Sequence, residues 1–100
     1  MDPIIIEYPP GFDDYAWEIE AKGWLGNIVA IIQGTRYTLN VFDATRLAQE
    51  IHHDLQVGHM FVERNLVVVG SVNRASIESA LEEIVHKGRV GDLQADRGPP

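Results

Sequence analysis

Histidines, carboxylates and serines are the side chains that could carry chemistry in this chain, which contains no cysteine. His52 and His53 are adjacent on a predicted helix, and His59 follows that helix. Adjacent helical residues project about 100° apart, so His52 and His53 are poorly placed to bind one ion. The H-E-x-x-H spacing of a zinc helix is absent. We therefore predict no metal site and no cofactor, and His52, His53, His59 and Glu63 form the one cluster worth testing.

The carboxylates and serines do not form a catalytic pattern either. Asp13-Asp14 and Glu82-Glu83 are neighbours in sequence, and neighbouring side chains on a strand or a helix point in different directions. A catalytic carboxylate also needs a desolvated pocket, whereas most of these are expected in solvent. Ser71 is not part of a G-x-S-x-G elbow, and the glycines form neither a P-loop nor G-x-G-x-x-G. We expect a binding protein and not an enzyme.

The net charge of −7 is concentrated near the N-terminus. Residues 1–20 contain no Lys or Arg and six acidic residues, which are Asp2, Glu7, Asp13, Asp14, Glu18 and Glu20. One interpretation is solubility, because a net charge keeps small proteins dispersed. The other is a basic protein partner that is attracted to an acidic edge. Nucleic-acid binding is disfavoured, since the chain has no basic stripe and no nucleic-acid-binding motif.

Length and composition predict one small domain in a reducing compartment. One hundred residues with 45% hydrophobic content can bury a single modest core. The absence of cysteine fits the cytoplasm. The N-terminal segment MDPIIIEYPP has no positive charge before its apolar residues, which is not typical of a signal peptide. No apolar run approaches the roughly 18–20 residues of a membrane helix. We expect a cytoplasmic protein without membrane contacts.

A β-hairpin over residues 27–42 is the predicted centre of the fold. Ile28–Ile32 is continuously apolar, which is typical of a strand covered on both faces, and residues 36–41 alternate between polar and apolar. Gly34-Thr35 suits a type II′ turn between them. Ile4–Ile6, flanked by prolines, indicates an edge strand. Residues 59–69 predict two further short strands around a turn near Arg64-Asn65, the second being Leu66–Val69.

Residues 13–21, DDYAWEIEA, show the clearest alternation in the chain. Tyr15, Trp17, Ile19 and Ala21 would share one face of a strand. Asp14, Glu18 and Glu20 would then project from the other side of the sheet. The sequence thus predicts an acidic sheet surface.

Two amphipathic helices complete the predicted fold. Asp43 is placed to cap a helix that runs to about Gln56, and Asn73 to cap another that ends near Gly88. We therefore predict an α+β fold, a mostly antiparallel sheet of five to six strands with both helices packed on one face. The domain is expected to span residues 1–88, followed by a flexible C-terminal tail over residues 89–100.

The predicted function is binding to a basic protein through the acidic edge. The predicted contact residues are Asp13, Asp14, Tyr15, Glu18, Glu20 and Trp24. Trp24 either folds back over the core or is exposed as an aromatic anchor. By profile, an immunity-type inhibitor of a basic bacterial toxin is the favoured form. The alternative is an accessory or structural subunit that self-associates, as a homodimer for example, through Ile4–Ile6 or Leu66–Val69.

Overall fold

A four-stranded mixed sheet forms the centre of the computed structural model, which describes residues 3–96. The strands lie in the order β1-β2-β3-β4; the β1–β2 and β2–β3 pairs are antiparallel and β3–β4 is parallel. The elements are β1 (Ile5–Glu7), α1 (Ala16–Lys22), β2 (Trp24–Ile32), β3 (Thr35–Asp43), α2 (Ala44–Gln56), β4 (Leu66–Val69), α3 (Arg74–His86) and a 3₁₀ turn (Val90–Asp92). The predicted α+β class is confirmed, but the described residues form four strands and three α-helices instead of five to six strands and two helices.

The β2–β3 hairpin is present, with a turn that differs from the predicted one. Ile32 pairs with Thr35, so the two loop residues are Gln33 and Gly34. Both have positive φ, 51° and 79° respectively. Positive φ at both central positions is the requirement of a type I′ turn, whose twist matches that of the flanking strands. The predicted type II′ turn over Gly34-Thr35 is therefore wrong in type and, by one residue, in position.

The main core lies on one face of this hairpin. Ile28 and Ala30 of β2 are fully buried and Leu39 and Val41 of β3 almost so, because alternate residues of paired strands project to the same side. Ile77 and Leu81 of α3 cover them, with 1% of each side chain exposed. No residue of α2 packs against this core cluster. The two predicted helices therefore do not share the core face.

The segment predicted as an acidic strand is a helix. Residues 16–22 form α1, which ends at Gly23, where φ is 73° and the N–H donates to the Ile19 carbonyl. Phe12, Ala16 and Ile19 point inward at spacings of four and three, which is a helical period. Ala, Glu and Lys also favour helix over strand. A Cβ at Gly23 would lie 2.4 Å from Asp43 Oδ2, so this position also needs a glycine for space.

Residues 59–63 do not form the predicted strand. This segment is irregular, and β4 pairs instead with β3, in parallel, through α2 as the crossover. Phe61 packs edge-on against Phe42, with ring centroids 6.2 Å apart. Phe42 is buried on the face opposite the main core. The aromatic contact holds the segment against that outer face without backbone pairing.

The predicted helix caps are confirmed. The Asp43 carboxylate accepts a hydrogen bond from the Arg46 N–H at 2.7 Å, and the Asn73 side chain accepts one from the Ser76 N–H at 2.9 Å. Such caps satisfy backbone donors that lack partners within the helix. Gly88 follows α3 with a φ of 67°, as expected of a terminating glycine. Within residues 3–96, no helix has the length and apolar content needed to cross a membrane.

The segment after α3 returns to β3. The Asp96 N–H donates to the Arg36 carbonyl at 2.8 Å, and the Asp96 carboxylate accepts from both the N–H and the hydroxyl of Thr38 at 3.0 and 2.8 Å. The Asn65 side chain exchanges two hydrogen bonds with the backbone of Gln94, at 2.8 and 2.7 Å. The described part of the predicted C-terminal tail is therefore hydrogen-bonded to the sheet. Residues 97–100 lie outside the described residues.

Asp96→Ala should lower the free energy of unfolding by about 1–2 kcal/mol, because a part-buried N–H and hydroxyl of Thr38 lose their acceptor. Asp92→Ala is the matched control, since the only contact of the Asp92 carboxylate within residues 3–96 is an exposed ion pair with Arg89. Urea denaturation followed by circular dichroism measures both variants. Equal losses in the two variants would show that the Asp96 contacts contribute nothing to stability.

Candidate functional site

An exposed helix face carries the acidic residues that the sequence singles out. Asp14, Trp17, Glu18 and Ala21 recur at helical spacing on the side of α1 that faces away from Phe12 and Ile19. Trp17 is 72% exposed, and Tyr15 in the preceding turn is 57% exposed. We call Asp14, Tyr15, Trp17 and Glu18 the α1 surface. The sequence places these carboxylates on a sheet; the structure places them on and beside a helix.

Two of the predicted contact carboxylates make intramolecular contacts with the start of α3. Asp13 forms an ion pair with Arg74 at 2.7 Å, and Glu20 accepts a hydrogen bond from the Asn73 amide at 2.6 Å. The hydrogen bond that Arg74 donates to the Asp13 carboxylate raises the pKa of the Arg74 guanidinium above its usual value. These contacts connect both ends of α1 to α3. Asp13 and Glu20 thus border the α1 surface and hold it in place.

The Arg74 guanidinium also packs on aromatic rings that support the turn before α1. Its central carbon lies 4.2 Å from the Tyr8 ring centroid and 5.2 Å from that of Phe12. The Tyr8 and Phe12 rings contact each other, with centroids 4.5 Å apart. A guanidinium over an aromatic face is attracted by the negative potential of the ring. Tyr8, Phe12 and Arg74 therefore form a packed base that supports the α1 surface.

Trp24 does not join the α1 surface. It pairs with Phe42 across β2 and β3 and packs on that ring, with centroids 6.4 Å apart. Paired residues share a face of the sheet, so Trp24 lies on the outer face, whereas α1 packs on the core through Ile19. Trp17 is the tryptophan beside the carboxylates. If this segment were a strand, Trp17 would share a face with Ile19. The helical spacing of Phe12, Ala16 and Ile19 is the sequence signal that places the Trp17 side chain in solvent instead.

The histidines do not assemble into a site. His52 and His53 on α2 are exposed, as are His59 and Glu63 in the segment that follows. Within residues 3–96, no group of three or more His, Cys, Asp or Glu side chains is arranged to hold a metal ion. The cluster nominated from the sequence therefore provides no ligand set.

The carboxylates of the α1 surface are not neutralised by ion pairs within residues 3–96. Residues 21–100 hold eight basic and nine acidic residues, so most of the net charge comes from residues 1–20. No ion pair within residues 3–96 involves Asp14 or Glu18. Carboxylates accept charge-assisted hydrogen bonds from Arg and Lys, and Trp and Tyr rings attract the same cations. This surface is chemically suited to basic side chains.

Comparison with family models, with curated proteins and with solved structures finds no match in any of the three. The chemistry of the chain's own surface is therefore the basis for assigning a function. That surface combines the exposed carboxylate Asp14 and the half-buried carboxylate Glu18 with the exposed rings of Tyr15 and Trp17.

The hydroxyl of Tyr8, beneath the α1 surface, is buried and has no hydrogen-bond partner among the described residues. It borders a cavity of about 200 Å³ that Arg74, Glu78 and Glu82 also line. Burial raises the pKa of Tyr8 above its usual value of 10.0, and the Glu78 carboxylate raises it further, while the Arg74 guanidinium offsets part of this shift. Both effects disfavour the phenolate in the folded state.

Tyr8→Phe should leave the free energy of unfolding at neutral pH unchanged or raise it by up to about 1 kcal/mol, because it removes an unsatisfied buried hydroxyl. The raised pKa favours the neutral phenol in the folded state, so wild type should lose stability as the pH rises past about 10. The variant should lose less. Urea denaturation at neutral and alkaline pH measures this difference, with exposed Tyr15→Phe as the control. A clear loss of stability in Tyr8→Phe at neutral pH would contradict the interpretation.

Proposed function

We propose that this chain is a protein-binding domain whose α1 surface receives basic side chains of a partner protein. The observation that carries the proposal is the exposure of Trp17, 72%, and Tyr15, 57%, beside two carboxylates without ion pairs within residues 3–96. An exposed tryptophan is expensive to keep in water, and Trp and Tyr dominate the residues that contribute most to protein–protein affinity. The acidic groups would supply attraction and orientation.

The roles of the four side chains differ. The carboxylates of Asp14 and Glu18 would accept hydrogen bonds from Arg or Lys, increase the rate of encounter and exclude acidic partners. Trp17 and Tyr15 would bury apolar area at the centre of the contact and stack against a cation. Because charge acts mainly on association and aromatic burial mainly on dissociation, the two pairs can be separated kinetically.

The contacts that hold α1 in place support this role. α1 is fixed through Ile19 to the core and through Asp13–Arg74 and Glu20–Asn73 to α3. Seven residues are too few for a helix to be stable alone in water, so these contacts keep it folded before any partner arrives. A surface ordered in advance loses little conformational entropy on binding.

The more specific form of the proposal is an immunity-type inhibitor that blocks a basic partner, such as a bacterial toxin. The small size, the net charge of −7 and its concentration in residues 1–20 support this form. An enzyme that acts on nucleic acid carries a basic active site. An acidic helix with a protruding aromatic ring could occupy such a site in place of the phosphates.

The test is to capture a basic protein from the source lysate, to identify it, and to measure its affinity for variants by calorimetry. Asp14→Lys/Glu18→Lys should weaken binding by about 10–100-fold, and the effect should shrink as salt rises. Trp17→Ala should weaken binding by about 30-fold at any salt concentration. Both reversed positions are on the surface, so the circular dichroism spectrum should not change.

Glu63→Lys/Asp92→Lys is the matched control, because it reverses the same number of acidic charges at exposed positions away from α1 and from the residues of α3 that hold it. Its affinity should stay within a few-fold of wild type. If the α1 variants and the control weaken binding equally, net charge alone is responsible. If the α1 variants bind as tightly as wild type, the α1 surface is not the binding site.

A further inference from the structure

The two edges of the sheet are protected differently. β1 carries Glu7, paired with Arg36 at 2.9 Å, and Pro3, Pro9 and Pro10 flank it. Charges and prolines are the usual means of preventing a sheet edge from pairing with another chain. β4, Leu66–Val69, has neither. Within residues 3–96, the backbone of β4 makes hydrogen bonds only in its ladder to β3. The N–H and C=O groups on its other edge have no partner among these residues.

An open groove runs along the free edge of β4. Two adjoining cavities of about 430 Å³ each follow the strand, one beside Leu66–Val68 and the other beside Val68–Gly70. α3 lines both cavities, and the segment after α3 also lines the first, through Arg89, Asp92 and Leu93. The small side chains that line the second are Ala75, Ser76, Ser79 and Ala80. Small residues at this position leave room for another backbone to approach β4 beneath the helix.

The outer face of β4 is apolar and uncovered. Leu66 and Val68 pair with Asn40 and Phe42 and share their face, opposite the main core. Val68 is 49% exposed. In the preceding segment, held beside this face by Phe61 on Phe42, Met60 is 79% and Val62 74% exposed. A group of exposed apolar side chains of this kind is typical of an interaction surface.

We infer that a second copy of the chain binds at this edge. The β4 strands of the two copies pair with each other in antiparallel orientation. A two-fold axis normal to the sheet, through Val67 or Val68, keeps both copies of α3 on one side and both apolar patches on the other. The result is one continuous eight-stranded sheet. Its two outer edges are the protected β1 strands, so the assembly closes at two copies.

Symmetry and charge favour a second copy as the partner. Pairing of four residues supplies few hydrogen bonds, so most of the affinity must come from side-chain burial. Two-fold symmetry buries the exposed apolar side chains of both copies together, so one set of residues supplies both sides of the interface. Residues 57–69 contain one acidic residue, Glu63, and one basic residue, Arg64. The charged residues that line the groove form two ion pairs, Glu83–Lys87 and Arg89–Asp92. The net charge of the chain therefore does not oppose contact at this edge.

Sedimentation equilibrium of the full chain tests the inference. The average mass should rise from one copy of 11.2 kDa towards two between micromolar and near-millimolar concentration. Val68→Lys, which places two ammonium groups at the axis, should raise the dissociation constant by about 100-fold. Ile5→Lys on β1 is the matched control, because Ile5 is 52% exposed; it should not change the dissociation constant. A monomer at every concentration overturns the inference and leaves the groove to an extended segment of another protein.

Single cysteines provide a second test, because the chain contains none. Val67→Cys or Val68→Cys, whichever lies on the axis, should form an intermolecular disulfide under mild oxidation, since residues opposed across paired strands are close enough to bridge. Ile5→Cys on the other edge should not. Disulfide formation that is no faster at residues 67 and 68 than at residue 5, or loss of the dimer in Ile5→Lys, would refute pairing at β4.

Discussion

The pairing of β2 with β3 is the interaction on which the rest of the structure depends. It brings Ile28 and Ala30 opposite Leu39 and Tyr37 on one face, and α3 and α1 pack on that face. β3 forms hydrogen bonds with β4 and with Asp96 in addition to those with β2. A change that displaced β3 would therefore release the base of the α1 surface, the β4 edge and the C-terminal segment together.

Features with strong local signals could be predicted from the sequence. The β-branched and apolar composition of Ile28–Ile32 and Leu66–Val69 predicts strands, and polar residues at Asp43 and Asn73 before apolar helical stripes predict helix starts. Each of these signals is local in the chain.

Two segments could not be assigned from local signals. α1 has only seven residues, which is too short for its helical period to be distinguished from a chance alternation of polar and apolar residues. Residues 59–63 have strand composition, but Phe61 packs on Phe42 on the outer face of the sheet, so the segment is held on that face and does not pair along the edge of β4.

The candidate site could be predicted only in part, because its geometry depends on contacts distant in sequence. The acidic character of residues 13–20 can be read directly. The contacts of Asp13 with Arg74 and of Glu20 with Asn73 span 61 and 53 residues, and no local pattern indicates them. The tryptophan at the candidate site is Trp17 and not Trp24, because residues 16–22 form a helix instead of a strand. On that helix the Trp17 side chain points into solvent, and Trp24 is the first residue of β2.

The two surfaces proposed for this chain differ in physical character, and this makes them separable. The α1 surface acts through charge, so added salt screens it. The β4 edge acts through apolar burial, which salts such as sulfate strengthen. A dimer formed at β4 would carry two α1 surfaces, and a partner with two basic sites would then bind with an affinity raised by effective concentration. Breaking the β4 pairing should remove that gain and leave the affinity of each α1 surface unchanged, because the residues of the two surfaces do not overlap.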